Sequence, residues 1–432
     1  MLLTLSPAIV LRSEPHYFNS LIAFNARTWE TVHLSRAHYD VLRKLSNGAL
    51  DESVVFDQLD KSAEPNGLSA NDFIEKGLLV YTSGTLNRSS DRAVTDEPVA
   101  PGVQCLSVPS LVEACITRRC NEVCHHCNVS SRSEHAPEVQ PISFWLELLD
   151  KCVEVGVFKI TITGGEPFIR KDFDVLLEKL ARSPIATSIL TNGLCVSDHH
   201  IEVMKHANMS LGVSLDGAKA QEHDDFRRTP GAFNRTIEVT RKLGKAGVCF
   251  TMAVTIHSQN LHDLPKFIAI ATDLGANTLV FGPMGGVGRG ATKPAQKYCA
   301  PATEVWKALE EVIALAKQKK GGPEIVVANF EEHEVLEFQN GKIMSRRPPG
   351  LCKAGIFALA IDEDGTVYPC LRGLQSHLHP IGALTTQSME DLWRSQSWSP
   401  FRNKKLPRVP CRVEAIEAAQ QASKGILNVI SC

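Results

Sequence analysis

The sequence predicts an α/β protein: a partial (β/α)6 TIM-like barrel, with an N-terminal winged-helix module before it and a C-terminal Cys-rich extension after it. Three observations carry this expectation. From residue 111 to 321, short period-two strands alternate with amphipathic helices, the rhythm of parallel strands joined by crossovers. Ahead of them, a hairpin pattern and a helix are cut off by a polar stretch without periodicity. Behind them, the rhythm gives way to a hairpin flanked by cysteines. The expected divisions are 1–85, a linker over 86–110, the barrel over 111–321 and the extension over 322–432.

Taken in order, Ala8-Ile9-Val10-Leu11 and Leu21-Ile22-Ala23-Phe24 frame a polar turn, and Arg36 to Leu45 has helical spacing. Ser83 to Pro109 is rich in Ser, Pro and charge and suits a linker. In the barrel, Phe158–Ile162, Met209–Val213 and Val248–Val254 alternate with period two. Trp145, Leu148, Leu149, Cys152 and Val153 form the apolar face of an intervening helix. Strands near 112, 158, 187, 209, 248 and 278 make six units, too few to close an eight-unit barrel, so an open mouth is expected. Further on, Phe357–Ile361 and Thr366–Tyr368 flank an Asp/Gly turn, and Ser388 opens a short helix running through Trp393.

Composition narrows the function. With 432 residues, 43% of them apolar, the chain can build about three cores. Lys and Arg number 46 against 48 Asp and Glu, a balance of −2 that provides no field for nucleic acid or anionic lipid. No run approaches the roughly 20 apolar residues of a membrane span, and MLLTLSPAIV lacks a basic, apolar export signal. A cytoplasmic protein is expected, with neither a nucleic-acid nor a membrane partner. In that setting, 13 cysteines point to metal or redox chemistry rather than a disulfide framework.

Cys120, Cys124 and Cys127 lie just beyond the first expected strand, at the end of a barrel where active sites are built. Three thiolates on a four-iron cluster leave one iron open to a small molecule. The alternative is a zinc site completed by His125 or His126. The segment Cys120-Asn121-Glu122-Val123-Cys124-His125-His126-Cys127 resembles the cluster motif of the radical S-adenosylmethionine (SAM) enzymes, with His126 where those enzymes often carry another aromatic. Later strand ends extend the resemblance. Gly164-Gly165-Glu166-Pro167 is similar to the segment that binds the SAM amino group, while Thr191-Asn192 and Ser214 with Asp216 match the ribose and carboxylate regions. His223 to Arg227, followed by Gly231-Ala232-Phe233, resembles the branch acting on peptides and proteins; capping with a surface ion pair is its plainer reading. Gly282 to Gly290 is glycine-rich enough to line a cavity closely.

Cys352, Cys370 and Cys411, with Val367-Tyr368-Pro369 before Cys370, resemble the start of the SPASM extension in its shortened twitch form. The resemblance implies one auxiliary iron–sulfur cluster, its fourth ligand being Cys432, a group other than cysteine, or none. Buried structural cysteines are the alternative. The N-terminal module is similar to the PqqD-like elements that capture leader peptides on an exposed strand edge.

Together these resemblances imply a peptide maturase with a 4Fe–4S cluster and SAM. It would cleave SAM reductively to a 5′-deoxyadenosyl radical and so crosslink, epimerise or otherwise modify a ribosomally made precursor. Flavodoxin or ferredoxin would supply the electron. A radical SAM enzyme of small-cofactor synthesis, such as that of a tetrapyrrole, and a non-catalytic metal or iron–sulfur protein are the competing readings.

Overall fold

In the computed structural model, residues 2–5, 9–14, 20–25, 30–46, 49–61, 68–76, 78–82, 105–205, 207, 209–318, 321–327, 336–339, 342–345, 353–375 and 379–402 are described. The expected hairpin near the N-terminus forms: Ile9–Glu14 pairs antiparallel with Ser20–Asn25, which also pairs with Glu30–Leu34. A second small sheet places Leu2–Leu5 between Leu50–Asp51 and Leu79–Thr82. Helices Arg36–Ser46, Glu52–Lys61 and Ala70–Glu75 pack with these strands around Leu3, Leu42, Leu59 and Phe73. Ser69 and Asp72 close a reciprocal cap on the third helix, which satisfies backbone N–H groups its first turn leaves unbonded.

The six expected barrel strands are Leu111–Thr117, Lys159–Gly164, Ala186–Thr191, Met209–Ser214, Phe250–Ile256 and Thr278–Pro283. They pair in parallel and in chain order. Burial alternates along Phe250–Ile256, whose Phe250, Met252, Val254 and Ile256 point into the core. A seventh parallel strand, Glu324–Val327, follows the sixth, and two antiparallel strands extend that edge. Its four residues are too short for their alternation to be distinguished from loop sequence.

At the other edge, the expected C-terminal hairpin joins the barrel sheet itself. Ala358–Ile361 pairs in parallel with Leu111–Ala114 of the first strand, and Thr366–Tyr368 turns back antiparallel. Ionic contacts lock this seam. Arg118 meets Asp362 at 2.5 Å, Arg132 meets Glu363 at 2.8 Å and Lys353 meets Glu113 at 2.7 Å. Residues 86–104 of the expected linker lie outside the described residues. Cys105, Leu106 and Val108 are packed rather than solvated, and Trp393 Nε1 donates to the Leu106 carbonyl at 2.8 Å.

Candidate functional site

A cavity of about 200 Å³ opens at the C-terminal ends of the barrel strands. Cys120, Cys124 and Cys127 border it, together with Gly164, Gly165, Thr191, Asn192, Ser214 and Arg227. Parallel strands deliver these groups to one place because they all end on the same side of the sheet. Glu166, Pro167 and Asp216 are absent from its lining. Both carboxylates are fully buried behind the wall.

Glu166 acts as a brace there. Its Oε1 accepts from Thr191 Oγ1 at 2.8 Å, and its Oε2 accepts from the Asn192 N–H at 2.7 Å, so it fixes the end of the third strand. Burial pushes its carboxyl up to about 7, against the pull of those donors. Gly164, with φ +137°, and Gly165 line the cavity and also admit the chain's own backbone. Side chains there would run into the carbonyls of Thr117 and Arg119, so the glycines admit the backbone entering the cysteine loop. Gly165 N–H donates to Thr117 O at 2.7 Å, and Glu166 N–H to Arg119 O at 2.8 Å.

Asp216 anchors a buried charge network. Its Oδ1 accepts from Thr255 N–H at 2.7 Å and its Oδ2 from Arg227 Nε at 2.8 Å; Arg227 Nη1 continues to Glu122 Oε2 at 2.6 Å. The Arg227 ion pair is thus buried rather than superficial. The nearby guanidinium outweighs desolvation and holds the Asp216 carboxyl well below the usual carboxylate range. Asp224 caps the next helix as the plainer reading expected, accepting from Gly231 N–H at 2.6 Å and Phe233 N–H at 2.8 Å.

His126 stacks on Phe226 with centroids 4.4 Å apart and planes within 2°, and His257 stacks on Phe226 at 4.0 Å. Burial drives His126 down to about 4, so a neutral ring packs at this wall. In the glycine-rich loop, Gly288 at φ +56° presses against the backbone of Cys127 and Asn128. This lets Arg289 donate to the Cys124 carbonyl at 2.8 Å and the Ser131 carbonyl at 2.9 Å, clamping the cysteine loop. Arg289 of the glycine-rich loop lines the cavity, as that loop's composition led one to expect, and Glu122, inside the three-cysteine run, and Gln375 line it without having been given a role from the sequence.

The residues fit a cluster. Burial raises the Cys120 thiol to about 12 and that of Cys124 well above its ordinary value, so ligation would have to displace their protons. Three cysteines border one cavity, a donor set that a four-iron cluster can use while one iron stays open to a small molecule. Cys370 is buried in the main core, and its carbonyl accepts from the Leu374 N–H at 3.0 Å, while Cys352, Cys411 and Cys432 lie outside the described residues.

Comparison with known proteins agrees with this donor set. Residues 115–271 match the Radical SAM superfamily, and residues 352–413 match the SPASM iron-sulfur cluster-binding domain. The chain carries a radical SAM domain. The first domain implies a 4Fe–4S cluster with SAM, and the second implies further iron–sulfur clusters. The sporulation killing factor maturation protein SkfB of Bacillus subtilis is 28% identical, covering 64% of this chain and 63% of SkfB. The antilisterial bacteriocin subtilosin biosynthesis protein AlbA, from the same organism, is 23% identical over 85% of this chain and 78% of its own length. The fold is shared with Streptococcus suis SuiB bound to its precursor peptide SuiA, at 16% identity and a TM-score of 0.67, covering 93% of this chain and 91% of SuiB. The radical SAM domain thus sits within an architecture shared across nearly the whole chain.

Proposed function

We propose that this chain is a radical SAM maturase of a ribosomally made precursor peptide. The observation that carries the reading is the single cavity bordered by three thiols and by the ends of the second, third and fourth barrel strands. Cys120, Cys124 and Cys127 hold the cluster; Gly164, Gly165, Thr191, Asn192, Ser214 and Arg227 form the walls for SAM. Glu166, Pro167 and Asp216 shape those walls from behind. Reductive cleavage of SAM, and hydrogen abstraction from carbon through it, is the chemistry this pair supplies when bound. The chain's own residues orient the ligand, and the ring stack of His126, Phe226 and His257 excludes water from one side.

The maturation role is supported by the relatives' names and by the first 85 residues. Ile9–Glu14 lies at the edge of its small sheet, where an extended leader could add backbone hydrogen bonds. In this reading 1–85 is a PqqD-like recognition domain, 86–110 a linker, 111–321 the catalytic barrel and 322–432 the auxiliary-cluster domain. Cys352, Cys370 and Cys411 hold one auxiliary cluster, and flavodoxin or ferredoxin delivers the electron. The test is anaerobic reconstitution with SAM and dithionite. Production of 5′-deoxyadenosine is expected, and its absence from a fully loaded protein would refute the enzyme. Candidate leader peptides should bind the intact chain but not a variant with Pro at Val10 and Arg12; equal binding to both would refute the docking site.

A further inference from the structure

We infer that Glu122 is a specificity residue of the cavity, its Oε1 accepting a hydrogen bond from an N–H or O–H donor of the bound SAM. This rests on the reading of the cavity as the SAM site. Glu122 is 2% exposed and belongs to the cavity lining. Its Oε2 is gripped by Arg227, which Asp216 holds from the other side, and Asp216 is in turn fixed by the Thr255 N–H. The carboxylate is therefore held in one orientation. Its Oε1 is buried and has no partner.

A buried acceptor left unbonded loses its full hydration without compensation, so such atoms mark places where a missing group belongs. A further buried acceptor without a partner, Asn128 Oδ1, belongs to a residue lining the same cavity. The wall thus offers two open acceptors to a ligand that carries N–H or O–H donors. SAM brings an ammonium, a sulfonium and two ribose hydroxyls. The 105-residue separation of Glu122 from Arg227 shows why this arrangement belongs to the fold rather than to the motif.

Equilibrium dialysis of labelled SAM against the full reconstituted chain, without reductant, tests the inference. Iron, sulfide and cluster absorbance are measured on every sample. Glu122→Gln removes the charged acceptor while keeping its shape, and SAM should bind at least about tenfold more weakly at unchanged iron content. Glu122→Asp keeps the charge but withdraws the carboxylate by one carbon, and a smaller loss is expected. If either loaded variant binds SAM as tightly as the parent, the inference is overturned. If both variants fail to hold a cluster, it is also overturned, because Glu122 would then serve assembly. A parent that binds no SAM would instead refute the reading of the cavity.

Discussion

The cavity wall and the seam that joins the C-terminal extension to the barrel both bury charge, but they complete it differently. At the seam every carboxylate oxygen is occupied. Asp362 takes both donors of Arg118; Glu363 takes Arg132 and the Arg118 N–H; Glu113 takes Lys353 and the Leu371 N–H. At the cavity, Arg227 bridges two carboxylates and Glu122 Oε1 is left unbonded. The seam's carboxylates are saturated by the chain itself, although Arg132 Nε there has no partner, whereas a carboxylate of the cavity wall keeps one oxygen open. Buried ion pairs are weak evidence of stability in themselves, so the orphaned oxygen, not the pairing, distinguishes the two regions.

The largest expected effect comes from Arg227→Met, which strands two buried carboxylates. Urea unfolding of the metal-free chain should show a loss of about 3–5 kcal/mol, and a loss below about 1 would mean the network is not buried in solution. Next is pH. Folding raises the Glu166 carboxyl from 4.5 to about 7, so the folded state holds its proton more tightly than the unfolded chain. Stability should therefore fall as pH rises from about 4.5 to 7, by an amount on the order of 3 kcal/mol, and level off above. Glu166→Gln should remove that slope; parallel pH curves for parent and variant would contradict the assignment.

At the seam, Lys353→Met should cost about 2 kcal/mol by leaving Glu113 Oε1 without its cation, with SAM affinity changed less than about twofold. A large loss of SAM affinity in this variant would erase the distinction between the regions. The smallest effect is expected from Ser388→Ala. Ser388 Oγ accepts from the Asp391 N–H at 3.1 Å, and its loss should lower stability by about 1 kcal/mol in the same unfolding assay.

Much of the barrel was legible because strand ends and cysteines announce themselves locally. Period two marked Phe250–Ile256, and the spacing of Cys120, Cys124 and Cys127 marked the loop. What stayed hidden depends on partners distant in sequence. Glu166 lies in a segment that resembles a ligand-binding one, and what the sequence could not show is that its carboxylate also bonds Thr191 and Asn192, 25 and 26 residues away. The close approach of the Thr117 and Arg119 carbonyls to Gly164 and Gly165 likewise joins segments more than 40 residues apart. The extension's hairpin was recognisable from its turn, whereas its pairing with the first barrel strand spans more than 240 residues and leaves no local trace.

The central claim is that Cys120, Cys124 and Cys127 hold the cluster that activates SAM. Iron and sulfide content of the anaerobically prepared chain, beside a Cys120→Ala/Cys124→Ala/Cys127→Ala variant, tests it most directly when 5′-deoxyadenosine formation is measured in both. The account predicts a loss of about four irons per chain and complete loss of 5′-deoxyadenosine, with the SPASM-region iron retained. Unchanged iron content, or continued SAM cleavage by the variant, would contradict it.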